Sequence, residues 1–551
     1  MIRKIVFTCS RSAGVCLFLL ATGVFTTGAF AKTVMVAKWG RFEHAFKSSL
    51  MYSNALQDVS LKVVFTSPLG ETNEVDGFWD GGRTWRVRFS PDQPGRWRFR
   101  TICSDGANEG LFDQRGEFLC TAATGLTRFE KHGQVRVARD HRHFEHMDGT
   151  PFFWLADTVW NGARRAELKD WEFYAGIRAS QRFTVAQWAV APGEDTKNES
   201  AYSGFPDRIG VNPDFFKRLD TRLEVLSQAG ILSAIVPLFE MQSEKGVANP
   251  LPDDQAELLA RYVVARWGAD PVAWLVAFEG DTAGKNVGRW KRIGQAVFGS
   301  RAHAPVVLYS GGTQWLVDEF REQRWVDVFG YQSVTGVTDD ALQWTFTGPF
   351  PTEWRKEPTR PLIPFAPYEN GLVAPSGKRF SSDDVRHAVY WSLLLTPPTG
   401  VSYGGQGVVD WESSVGPKAE QTGAADLPMW RKALFMPAAK QMSHLAKFMN
   451  SVDFWKLRPE QKAIASQPGE QSPRRFIVAA GPDTSDLTIV YVPEDRSAEL
   501  FLDGLPRSPS VSWFNPRTGE NNPAVAVVGA RSCQFPTPDP GDWLLVTKAG
   551  K

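Results

Sequence analysis

A chain with eight predominantly apolar runs, most of them separated by helix-patterned segments, has few folds open to it. Between residues 130 and 445 the runs read PFFWLAD, FTVAQWAV, ILSAIVPLFE, VAWLVAFEGD, APVVLYSGG, WVDVFGYQS, PLIPFAPYEN and GVSYGGQG. Runs of this kind suit strands covered on both faces, as in a parallel sheet. Helical patterns fall between them: AELKDWEFYAGIRASQ, a segment opening at Asn212-Pro213, and DDQAELLARYVVARW. Asn is a good helix cap and Pro fits a first helical turn. The alternation predicts a (β/α)8 TIM barrel. A doubly wound open sheet is the alternative, disfavoured because no glycine-rich dinucleotide fingerprint follows the first strand.

The flanks have another rhythm. Residues 32–125 contain LKVVFTSP and DGFWDGGRTWRVRFSPDQPGRWRFRTI, and residues 455–551 contain RRFIVAAG, DLTIVYVP, SAELFLDG, PSVSWFNPRTGE and DWLLVTK. Period-two runs punctuated by Gly, Pro and Asp predict a small β-sandwich on each side of the barrel. The expected fold is therefore multidomain: a central (β/α)8 TIM barrel flanked by two small β-sandwich domains.

Residues 1–31 carry Arg3, Lys4 and Arg11, an apolar and small-residue run, and Ala29-Phe30-Ala31. That pattern reads as a secretory signal peptide with an A-x-A cleavage site, which predicts export to the periplasm or the extracellular space. Lys+Arg number 62 against 61 Asp+Glu, and the leader holds no acid. The remaining chain is near neutral and gives no electrostatic reason to expect nucleic acid or an anionic membrane as partner. Export permits disulfides, and Cys103 and Cys120 lie on neighbouring strand-like runs, so both a bridge and two free thiols are open. Cys533 reads as a small buried hydrophobe. The 21 tryptophans and 37 phenylalanines must fill much of the core, and sugar-binding sites also use flat aromatic faces.

In a TIM barrel the active site forms at the C-terminal ends of the strands. Those ends supply Asp157 and Trp160, Gln187 and Trp188, Glu240, Glu279 and Asp281, Tyr331 and Gln332, Tyr368 and Glu369, and Tyr403 and Gln406. This set of carboxylates, amides and aromatics suits glycoside chemistry. One carboxylic acid protonates the leaving oxygen, a second carboxylate attacks or activates water, amides bind hydroxyls and rings stack on sugar. Glu279 ends an apolar run, where a carboxylate is costly unless it is paired or used. It is the first choice for the general acid/base, and Trp274, Phe278 and Trp188 are expected to give it an apolar setting that raises its pKa. Glu369 is the second catalytic candidate; the rest are read as substrate-binding. Plainer roles compete: Asp157 as a turn cap through Thr158, Glu240 in a structural ion pair. Other chemistries lack their signatures. His141, His143 and His146 precede the barrel in a hairpin-like stretch and read as structural, no HExxH, GxSxG or P-loop occurs, and no metal or cofactor is expected.

HFEHMDGTPFFWLADTVWN, DPVAWLVAFEGD, PYENG and VRHAVYWSLLLTPPTGVSYGGQGVVDW together resemble the apiosidase-like glycoside hydrolases. The segment around GFWDGGRTWRVRFSPDQPGRWRFRT resembles the immunoglobulin-like domain of unknown function that often precedes them, and WFNPRTGE is similar to the β-domain labelled "collagen-binding" in such architectures. The resemblance implies a barrel acting on a plant cell-wall or bacterial polysaccharide; the family's characterised activity is release of apiose from the pectin rhamnogalacturonan II. It places an acid at the end of strand four, here Glu279, five residues after Trp274. It also places a nucleophile in a strand-seven pattern resembling GEPxYE, where this chain reads PFAPYEN. Phe365 and Ala366 stand in the region of that first Glu and only Glu369 remains, which leaves two accounts. In one, Glu369 serves as the second carboxylate; in the other, the protein binds polysaccharide without cleaving it.

Overall fold

The computed structural model describes residues 34–204, 207–238, 251–278, 285–299, 302–310, 315–332, 338–374, 377–413, 428–494, 496–506 and 508–550. Eight parallel strands form its centre: β1 (Trp154–Thr158), β2 (Val185–Ala189), β3 (Leu232–Val236), β4 (Val272–Phe278), β5 (Val306–Ser310), β6 (Val328–Tyr331), β7 (Leu362–Pro364) and β8 (Gly400–Gly404). They hydrogen-bond in the order β7-β6-β5-β4-β3-β2-β1-β8. The sheet closes where the chain after β7 meets β8: Ala366 N donates to Ser402 O at 3.1 Å and Asn370 N to Gly404 O at 2.8 Å. The barrel predicted from eight apolar runs is the observed fold.

Helices cover the outside, including α1 (Leu168–Ser180), α2 (Pro213–Gln228), α3 (Asp253–Trp267), α4 (Lys285–Phe298), α5 (Asp339–Thr347), α6 (Ser382–Leu394) and α7 (Pro437–Met449). Local sequence sets their starts. Asn212 caps α2 through its side chain, with Pro213 in the first turn, and Ser381 and Asp384 close a capping box on α6. Side-chain parity then divides the strands. Trp154, Ala156, Val185, Ala189, Leu275, Val307, Tyr309, Ile363 and Phe365 fill the lumen. Leu155, Trp188, Trp274, Leu308, Phe329, Tyr331, Val401 and Tyr403 face the helix layer. Beneath the barrel, the antiparallel strands Val135–Val137, Phe144–His146 and Pro151–Phe152 add Phe144 and Phe152 to the lumen core, and Phe144 stacks on Trp154 with centroids 5.1 Å apart. The histidine-rich stretch thus belongs to a plug: His146 is buried, with Nδ1 2.8 Å from Gly133 O.

The N-terminal part is a five-stranded sheet facing a three-stranded one across a core that includes Phe42, Phe65, Trp97 and Phe118. The C-terminal part pairs a six-stranded with a three-stranded sheet around Trp513, Phe535 and Trp543. Cys103 and Cys120 are unbridged. Antiparallel register explains why: Cys120 lies opposite Gly95, while Cys103 sits at the other end of the same nine-residue strand. Cys533 is buried.

Buried ion pairs join both sandwiches to the barrel. Arg88 of the first sandwich reaches Asp220 on α2 at 2.9 Å, and Arg266 on α3 reaches Asp80 at 3.0 Å. Burial raises the pKa of Asp220, but hydrogen bonds and charge from Arg88 and Arg266 override it and hold the carboxyl at about 2. At the other end, Arg386 on α6 grips Asp542 through two bonds of 2.6 and 2.7 Å. No helix among the described residues is long and apolar enough to cross a membrane.

Candidate active site

Parity in the strands decides which of the expected residues reach the barrel mouth. Glu369 follows β7 and lies half-buried across the lumen side of β8. A β-carbon on Gly404 would come 3.0 Å from Glu369 Cγ, so the glycine is what lets the carboxylate lie there. Gln406, fully buried just after β8, donates from Nε2 to Glu369 Oε2 at 2.6 Å. A hydrogen bond of this length fixes the carboxylate's orientation. Trp160, half-buried after β1, packs against the lumen cluster from the same end of the barrel. Gln332, after β6, is half-buried.

A polar layer lies deeper. Thr158 Oγ1 donates to Gln187 Oε1 at 3.0 Å, and Gln187 Nε2 donates to Ser402 Oγ at 2.7 Å. All three residues are buried, so Gln187 ties β1, β2 and β8 together below the mouth and does not offer its amide to a ligand.

Several expected ligand contacts point the other way. Asp157 faces α1, where Arg178 Nε and Nη2 hold it at 2.7 and 3.1 Å and Tyr174 OH donates to it at 2.8 Å. It is neither a substrate contact nor a turn cap but half of a buried ion pair. Trp188 also faces the helix layer and meets Trp267 with centroids 5.6 Å apart. Tyr331 stacks on Phe350 at 4.7 Å, Tyr368 on Phe380 at 4.1 Å, and Tyr403 OH reaches Asn370 Oδ1 at 3.3 Å. These four rings are core on the helix side of the wall. Trp274 shares that side, so neither it nor Trp188 lines the lumen as expected around the strand-four acid. Glu240, Glu279 and Asp281 lie outside the described residues.

Two features were not singled out from the sequence as parts of the site. Phe365, in the region where the family pattern has its nucleophile, points into the lumen and stacks on Tyr309 with centroids 4.6 Å apart. Its ring lies where a β-carbon on Gly330 would be 2.6 Å away, so that glycine makes its space. Beyond β8, Asp410 is buried, and burial followed by the charge of Glu412 pushes its pKa up to about 6. The run VVDWE, an acid set between valines and tryptophan, was the signal there.

A parallel eight-stranded barrel with a carboxylate held at its C-terminal mouth is an arrangement that glycoside hydrolases use. The model for "Apiosidase-like, catalytic domain" matches residues 138–456, more than half of the chain, and the protein belongs to that family. A domain of unknown function, DUF5060, matches residues 35–104, and the model of a collagenase's proposed collagen-binding domain matches 458–548. Among solved structures, a family 5 glycoside hydrolase from Bacteroides vulgatus ATCC 8482 is similar with TM-score 0.66 at 19% identity, covering 77% of this chain and 95% of its own. A second structure from that organism, assigned as a candidate glycoside hydrolase, gives TM-score 0.68 at 18% identity over 94% of this chain and 100% of its own. At such identity the likeness concerns the fold. No curated protein sequence matches the chain.

Proposed function

We propose that the protein is an exported glycoside hydrolase that cleaves a plant cell-wall (pectin-like) or bacterial polysaccharide with paired carboxylates. The observation that carries this reading is Glu369, held over the lumen of an apiosidase-like barrel by the buried amide of Gln406. Glu369 takes the role of the second carboxylate, as nucleophile or as base toward water. Glu279, the residue after β4 in the sequence, takes that of general acid/base. A separation of ~5–5.5 Å between the two carboxyls would give retention, and ~6.5–9.5 Å inversion. Trp160 offers a flat face to a sugar ring, and Gln332 an amide to its hydroxyls. The basic-then-apolar leader ending in Ala29-Phe30-Ala31 supports export, and the outward route brings such an enzyme to extracellular polysaccharide.

A second reading has its own observation. Phe365 fills the region of the family nucleophile with a ring stacked on Tyr309, which suits a protein that binds polysaccharide without hydrolysing it. Incubation of the mature protein with rhamnogalacturonan II fragments and a panel of bacterial exopolysaccharides, read by mass spectrometry, separates the two. Sugar release by wild type, abolished in Glu369→Gln, is the expected result. Tight glycan binding with no release would replace the enzyme by the binding protein.

A further inference from the structure

We propose that one flank of the C-terminal sandwich pairs with a second copy of this chain, edge strand against edge strand, about a two-fold axis near Ala526. Two strands end their sheets on that flank: Asn521–Pro523 closes one side of the six-stranded sheet, and Val527–Val528 closes one side of the three-stranded sheet. Only Ala524, Val525 and Ala526 separate them. Each has one hydrogen-bonded neighbour among the described residues, and the far side of an edge strand offers N–H and C=O groups for pairing. Lysine, other charges, proline or a covering segment usually blunt such edges. Here Pro523 is the one such device in residues 521–530, NNPAVAVVGA, which carry no charge. Val525, Val527 and Val528 are 75%, 58% and 70% exposed.

The charges at the two ends of this run select the occupant. At one end Asn515 N donates to Glu520 O across a turn; at the other, Gly529 N donates to Ser532 O across a turn that carries Arg531. Both charged side chains are exposed. Glu520 has a neutral partner, Thr518 Oγ1, at 3.1 Å, and Arg531 makes no ion pair among the described residues. Other charges close by do not compete. Arg517 bonds Asp539 at 2.9 Å, and Glu499, two strands in from the edge, accepts from Ser532 Oγ. Asp503, one residue beyond the Leu502 N–H that bonds Arg531 O, forms no ion pair with Arg531. Antiparallel pairing reverses the strand. Centred on Ala526, it sets Arg531 of each copy opposite Asn521 of the other, beside Glu520. Both ends then match, with valine at the centre, so the edge is complementary to itself. That favours a second copy over an extended peptide of another protein. An isologous contact closes, giving a dimer and no filament.

Sedimentation velocity of the mature chain from about 1 to 200 μM tests the proposal, a range suited to a small interface. The expected result is a reversible monomer–dimer equilibrium. Val527→Lys places charge on an exposed edge and should abolish the dimer while leaving the thermal midpoint in place. Glu520→Arg and Arg531→Glu each turn two attractions into two repulsions and should weaken association about three- to tenfold, while the double variant returns to within about twofold of wild type. A monomer at every concentration overturns the proposal and leaves the edge to a peptide of another protein. So does a dimer indifferent to Val527→Lys, which lies elsewhere on the surface, or a double variant that associates no better than the single ones.

Discussion

The pair Arg386–Asp542 gives the most direct test of how the C-terminal sandwich is held to the barrel. Asp542 is fully buried and accepts two bonds from Arg386, of 2.6 and 2.7 Å, and one of 2.9 Å from Tyr491 OH. Arg386→Met leaves the carboxylate buried with Tyr491 and the more distant Arg517, 3.8 Å away, as its remaining partners. Removing one member of a buried pair costs about 3–5 kcal/mol, mostly as the penalty on the charge left behind. Asp542→Leu strands the guanidinium, which keeps Gln441 and Asp383 at 2.8 Å each, so its cost belongs at the lower end of that range. The double variant removes both charges and is expected to cost far less than the sum, a coupling of about 2 kcal/mol or more. Differential scanning calorimetry of the C-terminal transition measures all three. Linkage supplies a second signature. Burial raises the pKa of Asp542, but bonding and charge from Arg386 win and leave it below its ordinary 3.8. The stabilisation is therefore full above about 3.8 and lost as pH falls through the folded value, so wild type and Arg386→Met converge in acid. Additive costs, or a gap between the two that does not narrow at low pH, would refute the reasoning.

Two further substitutions probe the mouth. Asp410→Asn is expected to stabilise the protein at pH 7: a folded pKa of about 6 against an ordinary 3.8 means ionisation costs up to about 3 kcal/mol. Wild-type stability should fall between pH 4 and 6, since the folded state holds the proton longer, and denaturant midpoints of the two proteins should meet near pH 4. Gly404→Ala puts a methyl 3.0 Å from Glu369 Cγ, so sugar release should drop by an order of magnitude or more through displacement of the carboxylate, while the thermal midpoint changes little.

How much was legible follows from the physics of each element. The strands could be found because they are predominantly apolar, and their order could be inferred because parallel strands need crossovers. The same property hid their parity. A strand covered on both faces shows no alternation of polar and apolar residues, so nothing in WLADT or FTVAQWAV tells lumen from helix layer. Asp157, Trp188, Tyr331 and Tyr403 were read as rim for that reason, and each turned out to face outward. Glu369, Trp160 and Gln406 could be named because they lie beyond the strand ends, where the barrel architecture itself says a mouth must be. Cys103 and Cys120 make the same point in a sandwich: adjacency of strands is visible in the pattern, register is not.

By itself the sequence determined the barrel, helix caps such as Asn212, and the flanking sandwiches, because these depend on local propensity and on apolar runs of definite length. Only the tertiary structure decided which side of the wall each side chain occupies, that Gln406 clamps Glu369, and that Phe365 stacks on Tyr309. Those facts depend on closure of the sheet and on the packing of domains, contacts between residues hundreds of positions apart that no local pattern encodes.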